Sequence, residues 1–218
     1  MESRYAIGFR FGTGKRVGTC AEAARPLSPH TGKLFQTYAL TSKSMSHIQI
    51  LMRYKAWADD LLLKTVSSIP GEVLSAPRPI IFGSLIRTLN HAYVMDTVWQ
   101  CHLRGERHGL TTRNPDQCPD IEKLAESQRH INRWYVDYAI STTENALAES
   151  VGFEFIGGGV GCMTRQEILS HVVNHATYHR GHVADMLYQL NVSPPTTDLP
   201  VFLRQQPTES TVQNHGHE

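Results

Sequence analysis

Four segments in which apolar residues recur every three or four positions constrain the fold of this chain most strongly. They cover about residues 47–69, 84–105, 120–143 and 164–190. This spacing places the apolar side chains on one face of an α-helix. Helices of this length, joined by loops long enough to cross over the molecule, are typical of a four-helix bundle. The sequence therefore predicts an all-α fold.

Local signals mark where these helices begin and end. Ser84 or Gly83 can cap the second helix, and Thr164-Arg-Gln-Glu167 fits the capping-box pattern that opens the fourth. Between the third and fourth helices, Phe153 and Phe155 alternate with small or polar residues before a run of three glycines. That pattern predicts a short β-hairpin immediately before the last helix.

A row of histidines on the fourth helix is the strongest chemical signal. His171, His175, His179 and His182 are spaced by four, four and three residues. At roughly 100° per residue they fall within an arc of about 80°, so they share one face. A pair at i and i+4 can chelate one ion, and a neutral imidazole offers its lone pair near neutral pH. His171 and His182 are open to several roles: as further ligands, in packing, at the surface or around the site.

A further ligand would have to come from elsewhere in the chain, and the second helix offers His91 within its apolar stripe. A lone buried histidine is more often a hydrogen-bonded core residue than a ligand. Asp96 lies about 140° around the helix from His91, so it could be a partner only indirectly. His102 lies some three turns further along, which is too far for the same ion.

Composition narrows the class of protein. The 218 residues carry a net charge of +1, which gives no bulk electrostatic case for binding nucleic acid or a membrane surface. Cys20, Cys101, Cys118 and Cys162 lie far apart, which favours free thiols in a reducing, cytoplasmic setting. No apolar run approaches the roughly 20 residues that span a bilayer.

The chain divides into three parts by composition. Residues 1–44 hold seven Lys/Arg and two acids, which predicts a disordered basic extension, a start codon placed too early, or a targeting peptide. Residues 45–200 contain the predicted bundle. Residues 201–218 are predicted to form a disordered polar tail.

Three motifs resemble the DinB/YfiT-like family of damage-inducible proteins. Tyr54-Lys-Ala-Trp57-Ala-Asp59 looks like the family's first-helix motif, Tyr-Asn-x-Trp-Ala-Asn. Leu89-Asn-His91, followed by Asp96, resembles its second-helix metal motif. The stretch from His175 to His182 is similar to the C-terminal signature His-x-x-x-His-Arg-Gly-Gln, with histidine in place of the final glutamine. The order and spacing match over roughly residues 45–200.

The resemblance implies a bundle with up-down-down-up connection, often dimeric. It also implies that His91, His175 and His179 bind a divalent metal, zinc or nickel, with an open position beside it. His171 is not a ligand in that scheme. The histidine at position 182 could add a fourth ligand. Exposed apolar residues on the first and third helices are expected to support a homodimer.

Three functions follow from these observations. The first is a metal-dependent enzyme, in which a bound thiol or water of lowered pKa performs thiol transfer, with a low-molecular-weight thiol, or hydrolysis. The second is a non-catalytic metal-binding stress-response protein in which the ion ties helices together. The third is a bundle whose histidines only pack. We expect a small-molecule substrate and no nucleic-acid partner.

Overall fold

The structure is a computed structural model and describes residues 45–206. The predicted extension over residues 1–44 and the end of the predicted tail, residues 207–218, lie outside this range. The described part contains seven helices and two strands: α1 His47–Val66, α2 Gly71–Ser75, α3 Leu85–Arg104, α4 Ile121–Ser141, α5 Glu144–Leu147, β1 Ser150–Glu154, β2 Val160–Thr164, α6 Arg165–Gln189 and α7 Leu199–Gln205.

The four long helices, α1, α3, α4 and α6, pack around one core. Each of these helices packs mainly against two of the others, and the diagonal pairs are α1 with α3 and α4 with α6. In α3 and α6 residue numbers run oppositely, since His91 neighbours His179 while Trp99 neighbours His171. The apolar clusters show α1 parallel to α6 and α3 parallel to α4. The predicted up-down-down-up four-helix bundle is confirmed.

Side-chain caps fix the beginning of each long helix. Ser84 accepts a hydrogen bond from the backbone N–H of Arg87, and Asp120 caps α4 in the same way. Thr164 and Glu167 form the predicted capping box at the beginning of α6. Because these caps satisfy backbone donors that have no partner inside the helix, they locate the boundaries to within a residue or two.

The predicted β-hairpin forms immediately before α6. Its strands are antiparallel, and Phe153 pairs with Gly161. The three consecutive glycines from 157 to 159 all have positive φ values, which side chains disfavour. Phe153 is buried against Trp99, so the hairpin closes one end of the bundle.

The polar tail was predicted to begin at residue 201, but the chain is still helical there. Residues 199–205 form α7, and Phe202 within it is 3% exposed. Its ring packs against Tyr54 and Trp57 of α1, with centroids 5.9 and 5.5 Å apart. The Tyr54 hydroxyl also donates a hydrogen bond of 2.9 Å to the carbonyl of Thr197. The bundle domain therefore extends past the predicted boundary at residue 200, because one buried aromatic residue anchors the segment.

The surface expected to support a dimer differs from the prediction. In the described part of the chain, α1 has no large exposed apolar side chain, and α4 has Ile140 alone. The homodimer therefore stays a prediction. None of the helices between residues 45 and 206 is long and apolar enough to cross a membrane.

Candidate metal centre

Three histidines from two helices meet at one point of the bundle. His91 of α3 and His175 and His179 of α6 each offer a ring nitrogen within 4.8 Å of the others. His91 and His179 are buried, and His175 is half-buried. In the described part of the chain this is the one group of three or more such residues that could hold a metal ion. The structure thus brings together the three residues that the family resemblance selected.

The two histidines of α6 have a chelating geometry. Their Nε2 atoms lie 3.1 Å apart. Two imidazole ligands of a tetrahedral zinc ion, each bound at 2.0–2.1 Å, would have nitrogens about 3.3 Å apart. The i, i+4 spacing on one helical face produces this approach directly. Little movement is needed for both rings to bind the same ion.

The third histidine is held in the tautomer that metal binding requires. Nδ1 of His91 lies 2.8 Å from the backbone carbonyl oxygen of Arg113, and only a protonated nitrogen can donate to a carbonyl. The proton of the neutral ring is therefore on Nδ1, and the lone pair is on Nε2. The ring of Phe82 stacks on His91 with centroids 4.0 Å apart, which fixes its plane. A ligand histidine with its other nitrogen bonded in this way is usual at metal sites.

The electrostatics of the cluster keep its imidazoles neutral. Burial is the largest influence, and the neighbouring histidines add to it, so the pKa of His175 falls to about 3 and that of His179 to about 4. Burial likewise lowers the pKa of His91, against the opposing hydrogen bond to Arg113. Each ring therefore has a lone pair available near neutral pH.

The other histidines of the row lie outside the cluster. His171 packs edge-on against Trp99, with centroids 4.9 Å apart. His182 packs against Tyr178, with centroids 4.4 Å apart. Neither belongs to the group of converging nitrogens. The structure gives no support to a fourth ligand at His182, because its ring nitrogens are not among those that converge.

An open cleft reaches the three histidines from outside. Its volume is about 460 Å³, within the range of small-molecule sites. Loops before α3 and after it supply most of the wall, and α3 and α6 supply the rest. The lining residues are Ile81, Phe82, His91, Thr112, Arg113, Asn114, His175, Tyr178 and His179.

A buried polar network behind the histidines was not predicted from the sequence. The side chain of Lys55 is 1% exposed, and its ammonium donates hydrogen bonds to Asp59, Asp96 and Asn132 at 2.9, 2.7 and 2.7 Å. Gln128 donates to Asp96 and to Asn132 at 2.7 and 3.1 Å. The usable signal was the presence of polar residues at helix positions where the apolar spacing calls for core residues.

Arg180 connects this network to the helix that carries two of the histidines. Its guanidinium donates to Asp59 at 2.9 Å and to the Tyr54 hydroxyl at 3.1 Å. Two buried cations thus face two buried carboxylates, which is what burial of such groups requires. Burial works to raise the pKa of Asp59, but Lys55 and Arg180 outweigh it and hold that pKa below 3.8.

Comparison with known proteins gives consistent results. The sequence profile described as "DinB family" matches residues 43–213. Protein DinB of Bacillus subtilis (strain 168) is 26% identical over 165 residues, which is 73% of this chain and 95% of that protein. The crystal structure of a DinB-like protein from Bacillus cereus ATCC 10987 superposes with a TM-score of 0.52 at 21% identity, covering 66% of this chain and 91% of that one. At 21% identity, the likeness to this crystal structure concerns the fold alone.

Proposed function

Because this chain belongs to the DinB family, we propose that it is a metal-dependent enzyme acting on small molecules. His91, His175 and His179 hold one divalent ion, zinc or nickel. The reaction is the transfer of a low-molecular-weight thiol to an electrophilic carbon, with hydrolysis as the other chemistry open to the same site.

The observation that carries this proposal is the cleft that ends on the three histidines. A structural zinc site is closed by four protein ligands, whereas a catalytic site has three and keeps one position open. Here three nitrogens converge where the cleft of about 460 Å³ reaches them. A small molecule can therefore approach the ion from the open side.

The bound ion would lower the pKa of a thiol or a water molecule next to it and so supply a nucleophile. The chain's own residues do the rest. The carbonyl of Arg113 fixes the tautomer of His91, and Phe82 holds the ring in place. Ile81 and Tyr178, 76% and 62% exposed, form apolar walls that a substrate would cover.

The composition of the cleft favours a thiol over water as the nucleophile. None of the described residues that line the cleft is Asp or Glu, so none can act as a carboxylate general base. A free thiol has a pKa of about 8.5, whereas that of water is about 15.7. A thiol therefore ionises beside a cation without a base, and water needs more help. The thiolate sulfur would then form the carbon–sulfur bond while the leaving group departs with its electron pair.

Arg113 is the one charged side chain among the described residues that line the cleft, because the three histidines are neutral. A cation at this position favours an anionic group on the thiol or on its acceptor. No other side chain of the lining opposes it, since the remaining residues are apolar, aromatic or neutral polar.

The test is turnover by the zinc-loaded and the nickel-loaded chain with two sets of substrates. The first set pairs low-molecular-weight thiols, with and without a carboxylate, with alkyl halide acceptors. The second set contains simple esters and amides. We expect metal-dependent consumption of the thiol and faster reaction of the anionic thiols.

The matched controls are His179→Ala, which removes a ligand, and His130→Ala, which removes an exposed histidine of α4 away from the cleft. Loss of turnover in the first variant and its retention in the second would support the proposal. Turnover of esters with no reaction of thiols would replace thiol transfer by hydrolysis. Metal binding without turnover of either set would contradict both.

A non-catalytic role has one specific observation in its favour. The three histidines come from α3 and α6, so an ion would tie two helices together and add its binding energy to folding. In that case chelation would lower the melting temperature strongly, and no substrate would slow the removal of the ion by the chelator. The free thiols of Cys101, Cys118 and Cys162 suit the cytoplasmic location that we include in the proposal.

A further inference from the structure

A small cavity lies among the four long helices, and His179 lines both this cavity and the cleft. All four long helices contribute to it, and its volume is about 30 Å³. That exceeds the roughly 10–15 Å³ that one water molecule needs. Leucine and alanine side chains form most of its wall, and the polar residues that line it are Asp59, Asp96, Gln128, His179 and Arg180. A cavity of this size can hold a single ordered water molecule where polar groups reach into it.

Two polar atoms of the cavity-lining residues lack partners. Nδ1 of His179 and Nε of Arg180 are both buried, and neither has a hydrogen-bond partner among the residues described. Buried polar groups of this kind are nearly always satisfied, often by water. When Nε2 of His179 binds a metal, the proton of its neutral ring must be on Nδ1. That N–H then needs an acceptor.

Asp96 provides an acceptor at the same cavity. Its Oδ2 already accepts hydrogen bonds from Lys55 and Gln128, both at 2.7 Å. Its Oδ1 accepts none from side chains between residues 45 and 206. Asp59 is less suitable, because Arg180 occupies its Oδ1 while Lys55 and Asn132 occupy its Oδ2.

We propose that one water molecule in this cavity accepts hydrogen bonds from His179 Nδ1 and Arg180 Nε and donates one to Asp96 Oδ1. Asp96 is then a positioning residue for a metal ligand, acting through water on a ring of another helix. The proposal rests on the metal-binding part of the function proposed above and is independent of the reaction catalysed. Three hydrogen bonds are the usual number for a buried water.

The variant Asp96→Asn tests this link with little change of shape. Lys55 and Gln128 both donate to Oδ2, so the amide oxygen of the new side chain would take that position. Its NH₂ group would then face the cavity as a donor. The water would meet three donors with only two lone pairs. The conflict is relieved when His179 becomes the Nε2–H tautomer and its Nδ1 accepts from the water.

Either tautomer satisfies the contact between His175 and His179. The Nε2 atoms lie 3.1 Å apart, so one ring donates to the other in both cases, and only the direction reverses. This contact therefore does not determine the tautomer of His179, which depends instead on the group that its Nδ1 contacts. A proton on Nε2 must leave before that nitrogen can bind a metal, so the variant should also bind metal more weakly.

The experiment uses the full 218-residue chain, labelled with ¹⁵N at histidine, without metal. NMR identifies which nitrogen of His179 carries the proton. A competing chelator then gives the zinc dissociation constant. The matched control is Asp60→Asn, the same chemical change at a carboxylate that pairs with Arg129 and Lys64 instead of lining the cavity.

We expect the Nδ1–H tautomer in the wild type and in Asp60→Asn, and the Nε2–H tautomer in Asp96→Asn. We also expect the zinc dissociation constant to rise about tenfold or more in Asp96→Asn alone. An unchanged tautomer in Asp96→Asn would overturn the proposal. If that variant does not fold, a high-resolution crystal structure of the zinc-loaded wild type decides: solvent density bonded to His179 and Asp96 supports the proposal, and a dry cavity refutes it.

These readouts separate this proposal from the enzymatic one. A chain that binds zinc, shows the tautomer switch and turns over no substrate leaves the water link standing and removes the catalytic function. A wild-type chain that does not bind zinc removes the proposed function. The tautomer comparison in the metal-free protein would still confirm or refute the water link.

Discussion

Arg180 Nη1 lies 2.9 Å from Asp59 Oδ1 inside the bundle, one residue beyond the metal-site histidine His179. This ion pair joins α6 to α1, and the side chain of Arg180 is 7% exposed. The direction of the ring of His179 is therefore set by a helix whose position depends on buried charges. Stability and the geometry of the metal site are linked through this contact.

Removing one partner of the network should destabilise the fold severely. In Asp59→Ala, both Lys55 and Arg180 lose a carboxylate partner while they stay buried. Breaking a buried ion pair in this way costs about 3–5 kcal/mol. Urea unfolding would measure the loss in the free energy of unfolding. Asp60→Ala breaks a half-exposed pair with Arg129 and should cost about 1 kcal/mol or less. Equal losses in the two variants would contradict this account.

The same network predicts how stability changes with pH. The pKa of Asp59 in the folded chain lies below 3.8, because Lys55 and Arg180 outweigh the effect of burial. In acid the unfolded chain then binds more protons at this residue than the folded chain, so the contribution of Asp59 to stability falls as pH falls. Burial raises the pKa of Asp96, which gives that residue the opposite dependence. The contribution of Asp59 is present above pH 3.8 and is lost as the pH drops through the folded value.

Lys55 gives the opposite dependence in alkali. Burial lowers its pKa, but Asp59 and Asp96 together raise it above 10.5. Its contribution is therefore present below pH 10.5 and is lost as the pH rises through the folded value. Urea unfolding of the wild type and of Lys55→Met at a series of pH values checks this. We expect the free energy of unfolding of the wild type to fall more steeply above pH 10.5 than that of Lys55→Met. Equal changes with pH in the two proteins would show that the ammonium has no such role.

The bundle was predictable because its signals are local. The apolar spacing and the caps at Ser84 and Thr164 depend on residues a few positions apart, so one sequence contains them. The hairpin was predictable for the same reason, since alternation at Phe153 and Phe155 precedes three glycines. The histidine pair at positions 175 and 179 also shares one turn of helix.

The features that sequence reasoning missed depend on contacts between distant segments. Lys55 meets Asp96 and Asn132, which lie 41 and 77 residues away, and periodicity contains no information about such partners. Phe202 seemed part of a polar tail because a short helix has too few residues to show a period. For His91, the residues alone left a core histidine and a ligand as alternatives, and the family resemblance decided between them.

The close packing of the hairpin predicts that replacing Gly161 by a larger residue lowers the stability of the fold. A Cβ atom at Gly161 would overlap the ring of Phe153, its partner across the strands. Gly161→Ala should therefore cost about 1–3 kcal/mol through overpacking. Gly152→Ala is the matched control, because a Cβ there would have no neighbour within 4 Å. Chemical denaturation compares the two, and equal stability would argue against the packing of Phe153 described above.

The terminal helix α7 should contribute measurably to stability. Phe202 packs on Tyr54 and Trp57, so Phe202→Ala removes a buried ring and should cost about 3 kcal/mol. Leu203 is 46% exposed on the same helix, and Leu203→Ala should change stability by about 0.5 kcal/mol or less. Thermal unfolding of both variants tests whether this segment belongs to the bundle.

Metal content should depend on a histidine that lies 84 residues from its nearest partner in the cluster, His175. Elemental analysis of the purified wild type should find close to one zinc or nickel ion per chain, because three neutral imidazoles converge there. His91→Ala should lose the ion, since the i, i+4 pair of α6 that remains is a weaker site. His130→Ala should keep it, because that residue is exposed on α4.

Chelation should lower the melting temperature of the wild type and of His130→Ala but not that of His91→Ala, because an ion that binds only the folded state stabilises that state. A metal-free, well-folded wild type would show that the three histidines only pack.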